Sequence, residues 1–159
     1  MIEQAIFYAT LAAAVGSGLV AGIFYAFSSF VMAALGRMPP AHGIEAMQAI
    51  NIAVINRSFM LAFFGTAALC CALLVAAILR WNDGSSELLL IGSLLYLVGT
   101  IGVTVAFNVP LNNALATVRP ETADAASLWA HYLERWTMWN TVRTVAPTAA
   151  MILFIAALP

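Results

Sequence analysis

The chain divides where its apolar runs are broken. Residues 4 to 36, 58 to 79, 88 to 118 and 144 to 159 contain no Asp, Glu, Lys or Arg. A helix that crosses the hydrocarbon core needs roughly 20 mostly apolar residues. The first three runs reach that length alone; the last reaches it when joined, across Arg143, to the uncharged stretch from Trp136 to Val142. The pattern predicts four transmembrane helices, over about Ala5 to Leu35, Ser58 to Leu79, Leu88 to about Phe107, and a fourth that continues a long helix opened near Thr122.

Punctuation between the runs fits these limits. Pro39 and Pro40 forbid continuation of the first helix, and Asp83-Gly84 marks the reversal after the second. Pro110 removes a backbone donor and predicts a kink near Ala106, with Asn108 and Asn112 one turn apart. Thr122 is the expected N-cap of the last helix, with Asp124 in its first turn. Gly18 and Gly22 have the small-xxx-small spacing that lets two membrane helices approach closely. The stretch "HGIEAMQAINIAVINR" has helical composition but is too polar to span, so residues 43 to 56 are expected as an amphipathic helix packed over the others. Asn51, apolar on both flanks, should be buried there and need a partner.

Composition narrows the class. Of 159 residues 64% are hydrophobic and only 8% charged, far too little charge to clothe a soluble domain. With a net charge of −1 and no lysine there is no basic face, so nucleic acid is excluded as a partner. The start, Met1-Ile2-Glu3-Gln4, lacks the basic region of a secretory signal, and the first run is read as a retained helix. Arg37, Arg57, Arg119, Arg135 and Arg143 fall on the side of the first and third loops against Arg80 alone on the other, which puts both termini outside. The expectation is an all-α integral membrane four-helix bundle with an amphipathic interfacial helix between helices one and two. Residues 1–159 form a single multi-pass domain, placed in the bacterial inner (plasma) membrane.

In four antiparallel spans the amphipathic segment, the Asn-Pro kink and the stretch "WTMWNTVRTVAP" reach one membrane face. Gln48, Asn51, Asn108, Asn112, Trp136, Asn140 and Arg143 can then line one pocket, with amides at its floor and indoles as walls. Trp129, Tyr132, Trp136, Trp139 and Arg143 recur at steps of three and four and form one stripe. Aromatic belts and snorkelling account for such residues singly. An arginine at depth, disfavoured by roughly 2.5 to 3.5 kcal/mol, usually faces a cavity or a partner.

Other chemistries find less support. His42/Glu45 and His131/Glu134 each space two metal-ligating groups three residues apart, but carboxylate-bridged bundles add glutamates where this chain supplies asparagines, so no metal is expected. Cys70 and Cys71 are adjacent on a helix, roughly 100° apart, and read as apolar fillers. There is no assignable Ser-His-Asp set, Gly-rich phosphate loop or dinucleotide fingerprint.

The blocks "AGIFYAFSSFVMAALGRMPP", "GIEAMQAIN", "FNVPLNNAL" and "WTMWNTVRT" together resemble the anthrone oxygenase-like family of small membrane proteins, long catalogued as a domain of unknown function. The similarity covers nearly the whole chain. It implies a four-helix membrane protein and oxygenation of an anthrone to an anthraquinone by a monooxygenase (an oxidoreductase) without an organic cofactor. On matching motifs it marks Gln48, Asn51, Asn108, Asn112, Trp136 and Trp139 as substrate-binding, and Asn140 and Arg143 as catalytic. The last block departs from the family at Thr141, where histidine often follows the asparagine, leaving His131 as the remaining candidate base.

The mechanism these residues permit is a flat polycyclic phenol between Trp136 and Trp139, its enolate stabilised by Arg143 and Asn140, reducing O₂ without a cofactor. The expected partners are a small aromatic or lipid-like molecule and membrane lipids. Two alternatives use the same residues: a non-catalytic protein that binds or passes a quinone, lipid or small solute, and a structural homo-oligomer.

Overall fold

A computed structural model describes residues 1–81, 84–122 and 124–159. Every regular element among them is helical, and five continuous helices account for most of the chain: α1 (Ile2–Gly36), α2 (Pro40–Ala53), α3 (Arg57–Leu79), α4 (Ser86–Ala116) and α5 (Ala125–Ala156). Three of these, α1, α3 and α4, are long and apolar enough to cross a membrane. The fourth expected span lies in α5, whose 32 residues are ample in length. It does not qualify by composition, because Asn140, Arg143 and the tryptophans and threonines around them hold its hydropathy down.

The packing follows from which faces carry small or apolar residues. α1 lies along α3 and α5, α3 along α4, and α4 along α5, while α2 folds across the end where α1, α4 and α5 meet. One buried cluster, with Val20, Phe24, Phe63, Leu73, Tyr96 and Phe154, fills the middle of α1, α3, α4 and α5. A second, with Met32, Ile44, Met47, Leu115, Trp129, Tyr132 and Trp136, seats α2 on α5. Of the two glycines singled out for close packing, Gly18 meets the Met151 side chain and Gly22 meets nothing within 4 Å. The tight crossings are at Gly16, where any Cβ would collide with the Thr66 side chain, and at Gly99, where it would collide with the Ala146 Cβ. Gly43 plays the same part for α2, since a Cβ there would come within 2.8 Å of the Trp129 ring.

Several boundaries differ from the sequence reading: α2 spans Pro40–Ala53 where residues 43 to 56 were expected, and α4 runs to Ala116, past the expected end near Phe107. Asp124, not Thr122, is the N-cap of α5, and its side chain makes no capping bond; the Thr122 hydroxyl turns back to the Arg119 carbonyl at 3.0 Å instead. Asn56 caps α3 by accepting from the Phe59 N–H at 3.0 Å, a signal present in the sequence as an Asx residue just before an apolar run. Asp83 of the expected reversal lies outside the described residues.

Pro110 does disturb α4, but the helix runs on without a break to Ala116. With its N–H missing, proline cannot close the bond to Ala106, and the preceding turns widen into π-helix over Leu97–Gly102 and Thr104–Asn108. α1 carries a similar wide turn at Phe27–Val31. These segments of α1 and α4 flank the middle of α5, where the polar residues sit.

Candidate functional site

The buried stripe of α5 runs Trp129, Tyr132, Trp136, Asn140, Arg143, Pro147, Ala150 and Phe154, at steps of three and four. This helical face carries an amide and a guanidinium into the junction of the two apolar clusters. Of the six arginines only Arg143 is buried, with 5% of its surface exposed.

Its surroundings hold it without neutralising it. One terminal nitrogen donates to the Asn140 Oδ1 at 2.9 Å and the other to the Thr104 Oγ1 at 3.2 Å. The guanidinium carbon lies 4.3 Å from the centre of the Phe24 ring and 5.1 Å from that of Trp136, so two π-faces flank the cation. No Asp or Glu pairs with it among the described residues; the one ion pair they form is Arg80 with Glu3. Its Nε–H, buried, has no acceptor among the described residues. Five N–H groups and two protein acceptors leave hydrogen-bonding capacity unused.

The supporting residues are themselves fixed. Asn140, wholly buried, donates to the Phe24 carbonyl at 2.7 Å and to the Ser28 hydroxyl at 2.8 Å, which ties α5 to the wide turn of α1. The Thr104 hydroxyl spends its proton on the Thr100 carbonyl at 2.7 Å, leaving a lone pair for Arg143. Asn112 accepts from the Tyr132 hydroxyl at 2.8 Å and from the Trp136 indole N–H at 2.7 Å. The Asn51 side chain faces the same Tyr132 hydroxyl.

A cavity of about 270 Å³ opens beside Arg143. Its floor is Arg143, Thr104, Asn112, Asn51 and Trp136; its walls are apolar, from Phe24 and Phe27 of α1, Met47 and Ile50 of α2, and Phe59 and Phe63 of α3. That is a largely hydrophobic slot with a few convergent polar groups, slightly below the about 300 to 1,000 Å³ usual for ligand pockets.

The sequence-chosen residues divide accordingly. Asn51, Asn112, Trp136 and Arg143 line the cavity, and Asn140 supports Arg143 from behind. Asn51 is half-buried, less than its apolar flanks implied. Four other choices lie elsewhere. Trp139 is one position off the buried stripe and stacks on Phe107 with ring centres 3.6 Å apart, so there is no slot between Trp136 and Trp139. Gln48 donates to the Leu115 and Val118 carbonyls at 2.9 and 3.1 Å, closing the frayed end of α4. Asn108 is buried behind the cavity and donates to the Trp136 carbonyl at 3.2 Å. His131 is exposed and outside the cavity lining, as are His42, Glu45 and Glu134. No cluster of three metal-ligating side chains occurs among the described residues.

The sequence reading missed Phe24, Ser28, Thr104 and the phenylalanines of α3. Only the "FYAFSS" and "TVAFN" stretches hinted at the first three, through hydroxyls set in apolar runs. A family model described as anthrone oxygenase matches residues 59–153, more than half of the chain, taking in Thr104, Asn112, Trp136, Asn140 and Arg143. Comparison with curated proteins and with solved structures finds no match.

Proposed function

The chain belongs to the anthrone oxygenase family, and from that premise we propose that it oxygenates an anthrone or related polycyclic phenol without a cofactor, in the cavity beside Arg143. The setting we propose is a multi-pass bundle in a bacterial inner membrane, with α5 as the fourth member beside α1, α3 and α4, of which the last three are long and apolar enough to cross. The observation that carries the proposal is the buried Arg143 guanidinium, held by neutral acceptors, unpaired with any described carboxylate and facing an apolar slot. An oxyanion is the ligand such a site lacks.

The chemistry follows from the substrate's own acidity. Loss of a proton from the ring methylene gives an enolate whose charge rests on the oxygen and on the methylene carbon. Arg143 stabilises the oxygen end in a water-poor site, where the interaction is stronger than in bulk water. The carbon passes electrons to O₂, a C–O bond forms, and protonation gives a hydroperoxide. Loss of water, breaking the O–O bond and the remaining C–H bond, leaves the quinone carbonyl. One anthrone and one O₂ become one quinone and one water, so no outside reductant is needed. Asn140 and Thr104 aim the guanidinium. Because the lining holds no imidazole or carboxylate, the first proton leaves to water at the mouth.

That same lack of a base favours a second reading, in which a quinone or lipid is bound and nothing reacts. The test is quinone formation from anthrone and O₂ by protein purified in mild detergent, with uncatalysed autoxidation subtracted. Arg143→Met should lower the rate by about 10² to 10³, as for loss of an oxyanion donor. An unchanged rate in that variant would refute the catalytic role, and tight quinone binding with no turnover by the wild type would establish the second reading.

A further inference from the structure

We propose that Asn112 is the second group that grips the ligand oxygen, and that Tyr132 and Trp136 are the positioning residues that compel its amide to present N–H rather than C=O to the cavity. The inference rests on the reading of the cavity as an oxyanion or carbonyl site, and names what completes it.

The orientation of an asparagine amide follows from its neighbours. An indole N–H can only donate, so the atom 2.7 Å from the Trp136 Nε1 must be the amide oxygen. The Tyr132 hydroxyl, 2.8 Å from the same oxygen, adds a second donor, and the Asn51 side chain faces that hydroxyl from α2. With the indole able only to donate, the flipped amide would set N–H against the Trp136 N–H and lose that hydrogen bond, even though the Tyr132 hydroxyl could accept in place of donating. The Nδ2 group is therefore turned the other way. None of the described residues accepts from it, and Asn112 lines the cavity together with Arg143.

Arg143 shows the same bias. Asn140 gives its two amide protons to the Phe24 carbonyl and the Ser28 hydroxyl, so its oxygen must face the guanidinium. The arginine offers only donors, one of them the buried Nε–H that has no partner among the described residues. The cavity thus receives fixed donors from two helices, α4 and α5, against walls of phenylalanine and aliphatic side chains. The ligand chemistry that fits is a flat aromatic carrying an acceptor oxygen, either enolate or quinone carbonyl, at one end and hydrocarbon at the other. Substrate and product share that feature, so the site should hold both.

The experiment uses anthraquinone as a non-reacting probe, its affinity read by quenching of tryptophan fluorescence and its carbonyl stretch by infrared difference spectroscopy on the detergent-solubilised chain. Wild type should bind it and shift the carbonyl band to lower frequency. Asn112→Asp keeps an oxygen for Trp136 and Tyr132 but replaces the N–H edge with a second acceptor; it should weaken binding at least tenfold and return the band toward its unbound position. Tyr132→Phe leaves the donor in place but loosens it, and should broaden the band with a smaller loss of affinity. Unchanged affinity and band position in Asn112→Asp, or no binding by the wild type, would overturn the proposal. Turnover of anthrone is measured separately: a wild type that binds anthraquinone with the shifted band yet forms no quinone leaves this inference standing and removes the oxygenase. An active enzyme indifferent to Asn112→Asp does the reverse.

Discussion

At the scale of single residues, the question is what a buried cation costs and what it gains. Arg143 has no described carboxylate to offset desolvation; it has two neutral acceptors and two aromatic faces. Hydrogen bonds to a charged group contribute about 1.5 to 3 kcal/mol each, so each acceptor matters. Thr104→Val, nearly isosteric, should therefore lower turnover at least several-fold while leaving helix content by circular dichroism unchanged. Asn140→Leu should do more, because it removes the Arg143 acceptor and also the donors to Phe24 and Ser28. A loss of about 1 to 3 kcal/mol in detergent unfolding is expected alongside the loss of turnover. Of these residues the sequence made Asn140 and Arg143 legible, since polar groups in an apolar run must be explained. Thr104 and Ser28 were not, because single hydroxyls in apolar helical runs are ordinary and commonly bond their own helix, as Thr104 does at the Thr100 carbonyl. Only the fold brings them to α5.

Elements were read more easily than contacts. The charge-free runs located α1, α3 and α4, because a membrane span leaves a long uninterrupted record in sequence. α5 was foreseen as a helix but falls short as a span by composition, since the residues that lower its hydropathy are the ones that build the site. The stripe was right in period and wrong at Trp139, which lies one position from the buried face. An aromatic beside a stripe cannot be told from one within it until the partner helix is placed. Gln48, chosen as a pocket residue, closes the end of α4 instead. The wide turns of α4 carry a prediction of their own. Pro110→Ala restores the N–H that would bond Ala106 and should draw Thr104–Asn108 toward regular α-helix, rotating Thr104 relative to Arg143. Thermal stability should hold or rise while turnover falls; a variant with wild-type turnover would separate the π-helical turn from the site. At the α1–α3 crossing, Gly16→Leu drives a side chain into Thr66 and should destabilise the fold by about 1 to 3 kcal/mol in the same unfolding assay.

For the whole molecule, the fold sets four exposed arginines, Arg37, Arg57, Arg119 and Arg135, at the end where α2 lies, and the Arg80–Glu3 pair at the other. Between them the cavity's rim includes Ile55, Phe64 and Val109, which are 71%, 57% and 40% exposed. A rim of that kind is suited to contact with lipid. In vesicles, diluting a fixed amount of anthrone with added lipid should lower the rate if, as proposed, the cavity takes its substrate from the bilayer. A rate that follows total concentration alone would place the entrance on the aqueous side. The central claim is that a buried arginine lets a bound enolate react with O₂ directly, and isotope labelling tests it most directly. Under oxygen-18 gas, wild-type protein given anthrone should form quinone with one labelled oxygen per molecule, above the autoxidation background, and Arg143→Met should give background alone. Labelled quinone formed equally by both proteins, or by neither above background, would contradict the account.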